Sequence, residues 1–432
     1  MSGTPSTTAS SSGPGSRRRP KILEPFRFRD FAFYWIARTV SFVGDGVMTV
    51  ALPWQVYELT DSPAAMGVVG AIQTASILAF VLIGGVAADR IERKKVIIVA
   101  DLARALAAGA VGLLAIDGSL ELWHLGPLVV VFGVAQAFAG PAFGSIVPQL
   151  VPDHMLLQAN SALLTVNPIA FRFVGPALGG VVIAAAGTGA AFLLDAGSFV
   201  LGAVAIALLA ARPAARLLEE GERRTVVQDI REGVAYVRGR SWLWGTLTWN
   251  LFVLPLTWAP YVVLLPHLVK NDLGGDAQSL GFIFAAGGVS AVLTSLVLSQ
   301  TRIPRRHTTF MYAMFGFGVL DLAFYALTQA PWQAMAVAFV AECGFISGVT
   351  VWSTLLQKAV PGAMLGRVRS LDWMTATALT PLAFAGVGQL SETVGVRPVM
   401  AACGIAASLL TVAIFLLPGM RALEGKITLS NV

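Results

Sequence analysis

Charge and reactive side chains are both scarce in this chain. Only 12% of its 432 residues are Asp, Glu, Lys or Arg, and it holds two cysteines and four histidines. Cys343 and Cys403 each lie inside an apolar run, which argues against a structural disulfide and against a thiolate metal site. His124, His154, His267 and His307 are scattered and form no ligand motif. No Gly-x-x-x-x-Gly-Lys-Ser/Thr loop occurs, so ATP is not the direct energy source. No His, Asp or Ser constellation of an enzyme is present, no soluble receptor domain is evident, and no cofactor is implied.

What is present is apolar surface. Hydrophobic residues make up 56% of the chain and mean hydropathy is +0.73, against roughly 45–50% apolar content in soluble domains. A signal peptide would account for one apolar segment, but here they recur along the whole chain. Twelve segments of the length needed to cross ~30 Å of hydrocarbon fall near residues 31–58, 64–88, 96–116, 124–146, 157–184, 188–211, 242–269, 278–300, 308–328, 331–355, 367–390 and 396–418.

Topology follows from Lys and Arg. Nearly all of them fall in alternate intervals: Arg17 to Arg29, Arg90 to Lys95, Arg212 to Arg240, Arg302 to Arg306, Lys358 to Arg369 and the C-terminal tail; the opposite intervals hold Lys270 and Arg397. By the positive-inside rule both termini are cytoplasmic, in a multi-pass protein of the cell (plasma or inner) membrane. The same placement explains the net charge of +6 without nucleic acid as a partner.

The chain also repeats itself. Val151-Pro-Asp-His-Met-Leu-Leu-Gln-Ala-Asn-Ser161 returns as Val360-Pro-Gly-Ala-Met-Leu-Gly-Arg-Val-Arg-Ser370, each between the fourth and fifth segment of a six-segment set. The expected fold is an all-α membrane protein of twelve transmembrane helices in two pseudo-symmetric six-helix halves. Residues 1–25 read as a disordered basic tail, 26–211 as the first half and 212–240 as a cytoplasmic linker. Val227, Ile230, Val234 and Val237 give that linker an amphipathic helix. Residues 241–420 form the second half and 421–432 a cytoplasmic tail. Such a unit makes a pathway without a partner subunit, so a monomer in the bilayer is expected.

One loop carries more charge than topology needs. Gly84-Gly-Val-Ala-Ala-Asp-Arg-Ile-Glu-Arg-Lys-Lys95 sits between segments two and three. Arg93, Lys94 and Lys95 anchor it, but Asp89 adds nothing to a positive-inside signal. An acid at a helix end can latch onto the N-terminus of a neighbouring helix. Gly85-Val-Ala-Ala-Asp89-Arg90-Ile-Glu-Arg93-Lys94 resembles the signature loop of the major facilitator superfamily, Gly-x-x-x-Asp-Arg-x-Gly-Arg-Arg, with Glu92 where that pattern has Gly.

The resemblance runs from about Phe26 to Leu417. It extends to the branch that includes macrolide efflux proteins and enterobactin exporters, through Val43-Gly44-Asp45, Val56-Tyr57-Glu58-Leu59-Thr60-Asp61-Ser62-Pro63, Ala100-Asp101-Leu102-Ala103-Arg104-Ala105 and Leu365-Gly366-Arg367-Val368. Gly175-Pro176-Ala177-Leu178-Gly179-Gly180 resembles the core of the antiporter motif of drug exporters, although a kinked packing face reads the same way. The resemblance implies a proton-coupled antiporter that exports an amphipathic small molecule, with export of a siderophore or other endogenous metabolite as the alternative. It also implies a gating loop of Gly85, Asp89, Arg90, Arg93 and Lys94.

Ionisable residues at membrane depth cost several kcal/mol unless partnered or facing a cavity. Counting ~1.5 Å per residue, Asp45, Arg172, Asp321 and Glu342 fall near the midplane. Asp45 and Glu342 are candidate proton carriers, with ion pairs to Arg38 and Arg172 as the structural alternatives. Arg172 is also a candidate contact for an anionic substrate group. Phe138, Asn250 and Trp258 are the deepest large or polar side chains for a substrate cavity, Asp321 reads as a packing partner, and Asp101 with Arg104 as a pair near the cytoplasmic face.

Overall fold

A computed structural model describes residues 21–210 and 226–425, and among these no strand occurs. The helices in chain order are α1 (Arg29–Thr60), α2 (Pro63–Arg90), α3 (Arg93–Asp117), α4 (Leu122–Ile146), α5 (Leu156–Leu164), α6 (Gly175–Ala207), α7 (Val226–Arg238) and α8 (Ser241–His267). They continue with α9 (Ala277–Gln300), α10 (His307–Gly318), α11 (Asp321–Tyr325), α12 (Pro331–Ala359), α13 (Gly362–Thr377), α14 (Thr380–Val394) and α15 (Val396–Phe415). Among the described residues, nine helical stretches are long and apolar enough to cross a membrane by length and composition.

The twelve expected spans are recovered once the breaks are read. Gly187, at φ 79° and ψ 171°, divides α6, so that α5, a π-helical stretch Asn167–Val174 and the start of α6 form span five, and the remainder is span six. A β-carbon is strained in that conformation, which is why glycine marks the turn between two spans. Spans nine and eleven are likewise broken, between α10 and α11 and between α13 and α14. Pro168 and Pro381 stand at the breaks in spans five and eleven, the fifth helix of each half. A proline removes one backbone donor and crowds the preceding turn, so both halves break the fifth helix at a proline, as a π-helical stretch in span five and a short turn in span eleven.

The halves meet through small residues. A Cβ added at Gly180 of span five would lie 2.8 Å from the Ala277 carbonyl of span eight, and one at Gly281 would lie 2.5 Å from the Pro176 carbonyl. Gly388 of span eleven abuts Pro63 and Ala64 of span two in the same way. With lipid outside and no hydrophobic force between helices, close backbone approach is what holds such interfaces together.

The amphipathic linker helix is α7. Val237 is buried with Trp242 and Leu371, and Glu232 pairs with Arg367 at 2.8 Å, seating α7 on the end of α13. The side chains of Val227 and Ile230, residues 1–20 of the expected tail at 1–25, residues 212–225 of the linker and residues 426–432 of the tail at 421–432 lie outside the described residues; the end of the first tail is not disordered but belongs to a short 3-10 helix, Lys21–Arg27.

Candidate functional site

Span five brings the first charge to the middle of the bundle. Arg172 sits in the π-helical stretch, a wider turn that re-aims a side chain relative to a regular helix. Its backbone carbonyl packs against Gly288 of span eight, and its Nη1 pairs with Glu342 Oε1 on α12. The side chains are 27% and 21% exposed, so the pair borders open space. Of the two readings of Glu342, the geometry contains the ion pair to Arg172, joining span five to span ten across the two halves.

A second cluster is built inside the first half. Arg104 pairs with Asp101 one turn earlier on α3, both almost wholly buried, and its Nη1 reaches Asp45 Oδ1 of α1 at 3.8 Å. Arg104 also lies over the Phe199 ring at 4.2 Å. Asp45 is thus nearest to Arg104, while the Arg38 guanidinium sits between the Phe42 and Phe143 rings, 4.0 Å from each centroid. Sequence reasoning missed a third acid of this cluster, Asp195 in span six, which has no exposed surface. The signal was available: Asp195 is the lone charge in the apolar run from Val181 to Leu209.

The remaining cavity candidates separate. Trp258 is 46% exposed and stacks on Tyr261 at 5.8 Å. Phe138 is partly buried against the cluster around Tyr34 and Phe143. Asn250 is buried and donates through Nδ2 to Asp372 Oδ1 at 2.8 Å, and Trp352 Nε1 donates to the same oxygen at 3.0 Å. Asp372 was not anticipated, and it explains the buried amide: spans seven, ten and eleven share one acceptor. Asp321, expected as a packing partner, accepts from its neighbour's backbone, Leu322 N, at 2.7 Å in the first turn of α11.

At the loop end opposite the termini, polar groups tie the halves together. Lys270 donates to Asp61 at 3.1 Å and to the Tyr57 carbonyl at 2.5 Å, and Asn271 donates to Asp61 at 3.0 Å. Tyr57 Oη donates to the Val263 carbonyl at 2.6 Å, and Ser62 Oγ to Glu392 at 2.6 Å. The hydrogen bonds from Asn271 and Lys270 hold the Asp61 carboxyl below its usual range.

At the terminal end, the charged loop binds within its own half. Arg93 donates to the Ser145 carbonyl of α4 at 3.0 Å. Lys94 donates to the Ala207 and Leu209 carbonyls at 2.6 and 2.7 Å, where the C-terminal end of α6 presents unpaired acceptors. The side chains of Asp89 and Arg90 lie outside the described residues; Gly85 has open space around its Cα. The antiporter-like motif is a packing face on both sides: a Cβ at Gly175 would lie 2.6 Å from Gly46 Cα, one at Gly179 would lie 3.0 Å from Val47 Cα, and Pro176 and Gly180 contact span eight.

A family profile described as a transmembrane secretion effector matches residues 21–430. The multidrug efflux pump Tap of Mycolicibacterium fortuitum is 27% identical over 394 residues, covering 88% of this chain and 94% of its own. The enterobactin exporter EntS of Escherichia coli is 28% identical over 402 residues, covering 90% and 91%. Among solved structures, a bacterial homologue of the human lysosomal transporter Spinster, in an inward-facing and unoccupied conformation, superposes with a TM-score of 0.68. It is 12% identical and covers 95% of this chain and all of its own.

Proposed function

Because the chain belongs to the transmembrane secretion effector family of the major facilitator superfamily, we propose that it exports an amphipathic small molecule in exchange for protons. The multi-pass fold lies in the cell membrane with both termini cytoplasmic, and works as a monomer by alternating access.

The observation that carries this reading is the Arg172–Glu342 pair. It spans the two halves, borders open space, and joins an acid to a base. Such a pair has two stable arrangements, closed as an ion pair or opened by protonating Glu342. Loss of its attraction on protonation biases the halves toward the other arrangement, which is how a proton can drive the cycle. The ties at Asp61, Lys270 and Glu392 close the outer end in this state, while Gly85, Asp89, Arg90, Arg93 and Lys94 form the inner gating segment.

The test is ethidium efflux from inverted membrane vesicles under an imposed pH gradient, comparing wild type with Asp45→Asn and Glu342→Gln. Loss of gradient-driven efflux with ethidium binding retained identifies the coupling carboxylate; normal pumping by both variants removes these two from the coupling path. Export of an anionic metabolite such as a siderophore is the second reading. It is favoured by Arg172, whose guanidinium fork would be released to an anionic group when Glu342 is neutralised.

A further inference from the structure

The first half contains a carboxylic acid that the Arg172–Glu342 pair does not use. Asp195 has no exposed surface, and neither of its carboxyl oxygens has a hydrogen-bond partner. Ser198, its neighbour one turn on, donates instead to the main-chain carbonyl of Asp195 at 2.8 Å. The carboxyl lies against the backbone of α1: a Cβ added at Gly44 would be 2.5 Å from Asp195 Oδ1, directly before Asp45.

The groups facing it come from three helices. The α1 helix contributes Asp45, α3 contributes Asp101 and Arg104, and α6 itself contributes Ser198; Arg38 of α1 acts on Asp45 and Asp101 from the far side of the cluster. Three acids therefore share two guanidinium groups. Arg104 is engaged by Asp101 and Asp45, and Arg38 is held between two aromatic rings. If all three acids were ionised the cluster would keep one uncompensated negative charge, on the fully buried member that, among the described residues, has no ion-pair partner. An isolated buried carboxylate costs far more than binding a proton, so the group neutralises. With Asp195 neutral, two acids balance two bases.

We propose that Asp195 is a second proton-binding site, occupied in this conformation, and that it exchanges with the central space through Asp45. Asp45 is the suited intermediary because its side chain is 22% exposed while Asp101 and Arg104 are sealed. Separation of α1 from span six would open the Gly44 contact, admit water to the carboxyl and release the proton. This rests on the proton-coupled reading for its role in the cycle, but the occupancy of the site stands apart from it.

The experiment is infrared difference spectroscopy on the purified full chain at pH 7, comparing wild type with Asp195→Asn and Glu342→Gln, together with their melting temperatures. A protonated carboxyl has its own C=O stretch, distinct from carboxylate bands. The expected result is a protonated-carboxyl band that Asp195→Asn removes and Glu342→Gln leaves. Asp195→Asn should also melt no lower than wild type, because asparagine reproduces the shape and neutrality of the protonated acid. A band unchanged in Asp195→Asn overturns the proposal. So does a variant that fails to fold, since a neutral isostere is tolerated only where the native group is neutral. A band lost as expected, with ethidium efflux indifferent to the pH gradient in wild type, keeps the proton site and sinks the antiport reading instead.

Discussion

Arg172 and Glu342 stand 170 residues apart in sequence, in different halves, and meet side chain to side chain in the middle of the bundle. The contact fastens span five to span ten, and therefore measures whether the halves are together. Removing one partner of a fully buried pair costs about 3–5 kcal/mol; with 27% and 21% of the side chains exposed, about 1–3 kcal/mol is the expected loss for Glu342→Ala. Exchanging the two residues, Arg172→Glu with Glu342→Arg, should recover most of the melting temperature without recovering efflux, because an acid restored on span five faces a different path. Recovery of both would mean that the pair acts only as a fastener.

The outer closure should depend on pH in one direction. Hydrogen bonds from Asn271 and Lys270 depress the Asp61 carboxyl in the folded, closed state. A depressed acid contributes stability that is fully present above its unfolded value, about 3.9, and lost as pH falls through the lower folded value. Closure of this end should therefore be flat from pH 5 upward and weaken only in stronger acid. Asp61→Asn should loosen it at neutral pH. Spin-label distances between the ends of α1 and α8 would show this as a longer population; an unchanged distribution would mean that Tyr57 and Glu392 suffice.

The spans were legible because period and length are local properties: each apolar run is long enough to cross the bilayer whatever its neighbours do. The breaks at Pro168 and Pro381 were not placed, since a proline in a membrane helix is compatible with a gentle kink as well as with a π-helical turn. The rule that drew attention to Asp45, an ionisable residue at membrane depth, also applied to Asp195 and Asp372. Neither is part of a motif: Asp195 lies alone in an apolar run, and Asp372 lies close to the basic interval ending at Arg369. Partners were least legible: Asp45 had Arg38 two turns away on its own helix, yet the nearer guanidinium is that of Arg104. A pairing between helices depends on their rotation about their axes, which one chain's periodicity leaves open.

Asp372 is expected to be structural. It accepts from Asn250 and Trp352 on two other spans, and its removal leaves two buried donors without a partner. Each unsatisfied donor costs about 1–3 kcal/mol. Asp372→Ala should lower the melting temperature of the detergent-purified chain far more than Asp372→Asn, which keeps one carbonyl acceptor. Equal effects from the two substitutions would show that the charge, rather than the shared acceptor, is what spans seven, ten and eleven require.

The glycine contacts between spans five and eight should distinguish packing from chemistry in the Gly175–Gly180 motif. A methyl at Gly281 would fall 2.5 Å from the Pro176 carbonyl and 2.9 Å from Gly180 Cα, both backbone atoms that cannot rotate away. The helices must separate, and overpacking of this kind costs about 1–3 kcal/mol. Gly281→Ala should therefore disfavour the conformation in which spans five and eight touch, and reduce efflux while leaving the charged clusters intact. Gly197, in span six beyond the Gly187 break, has open space around it, so Gly197→Ala is the control for a methyl that meets nothing. Spin-label distances across the outer end would report the shift. If Gly281→Ala and Gly197→Ala behave alike, close backbone approach is not what these glycines supply.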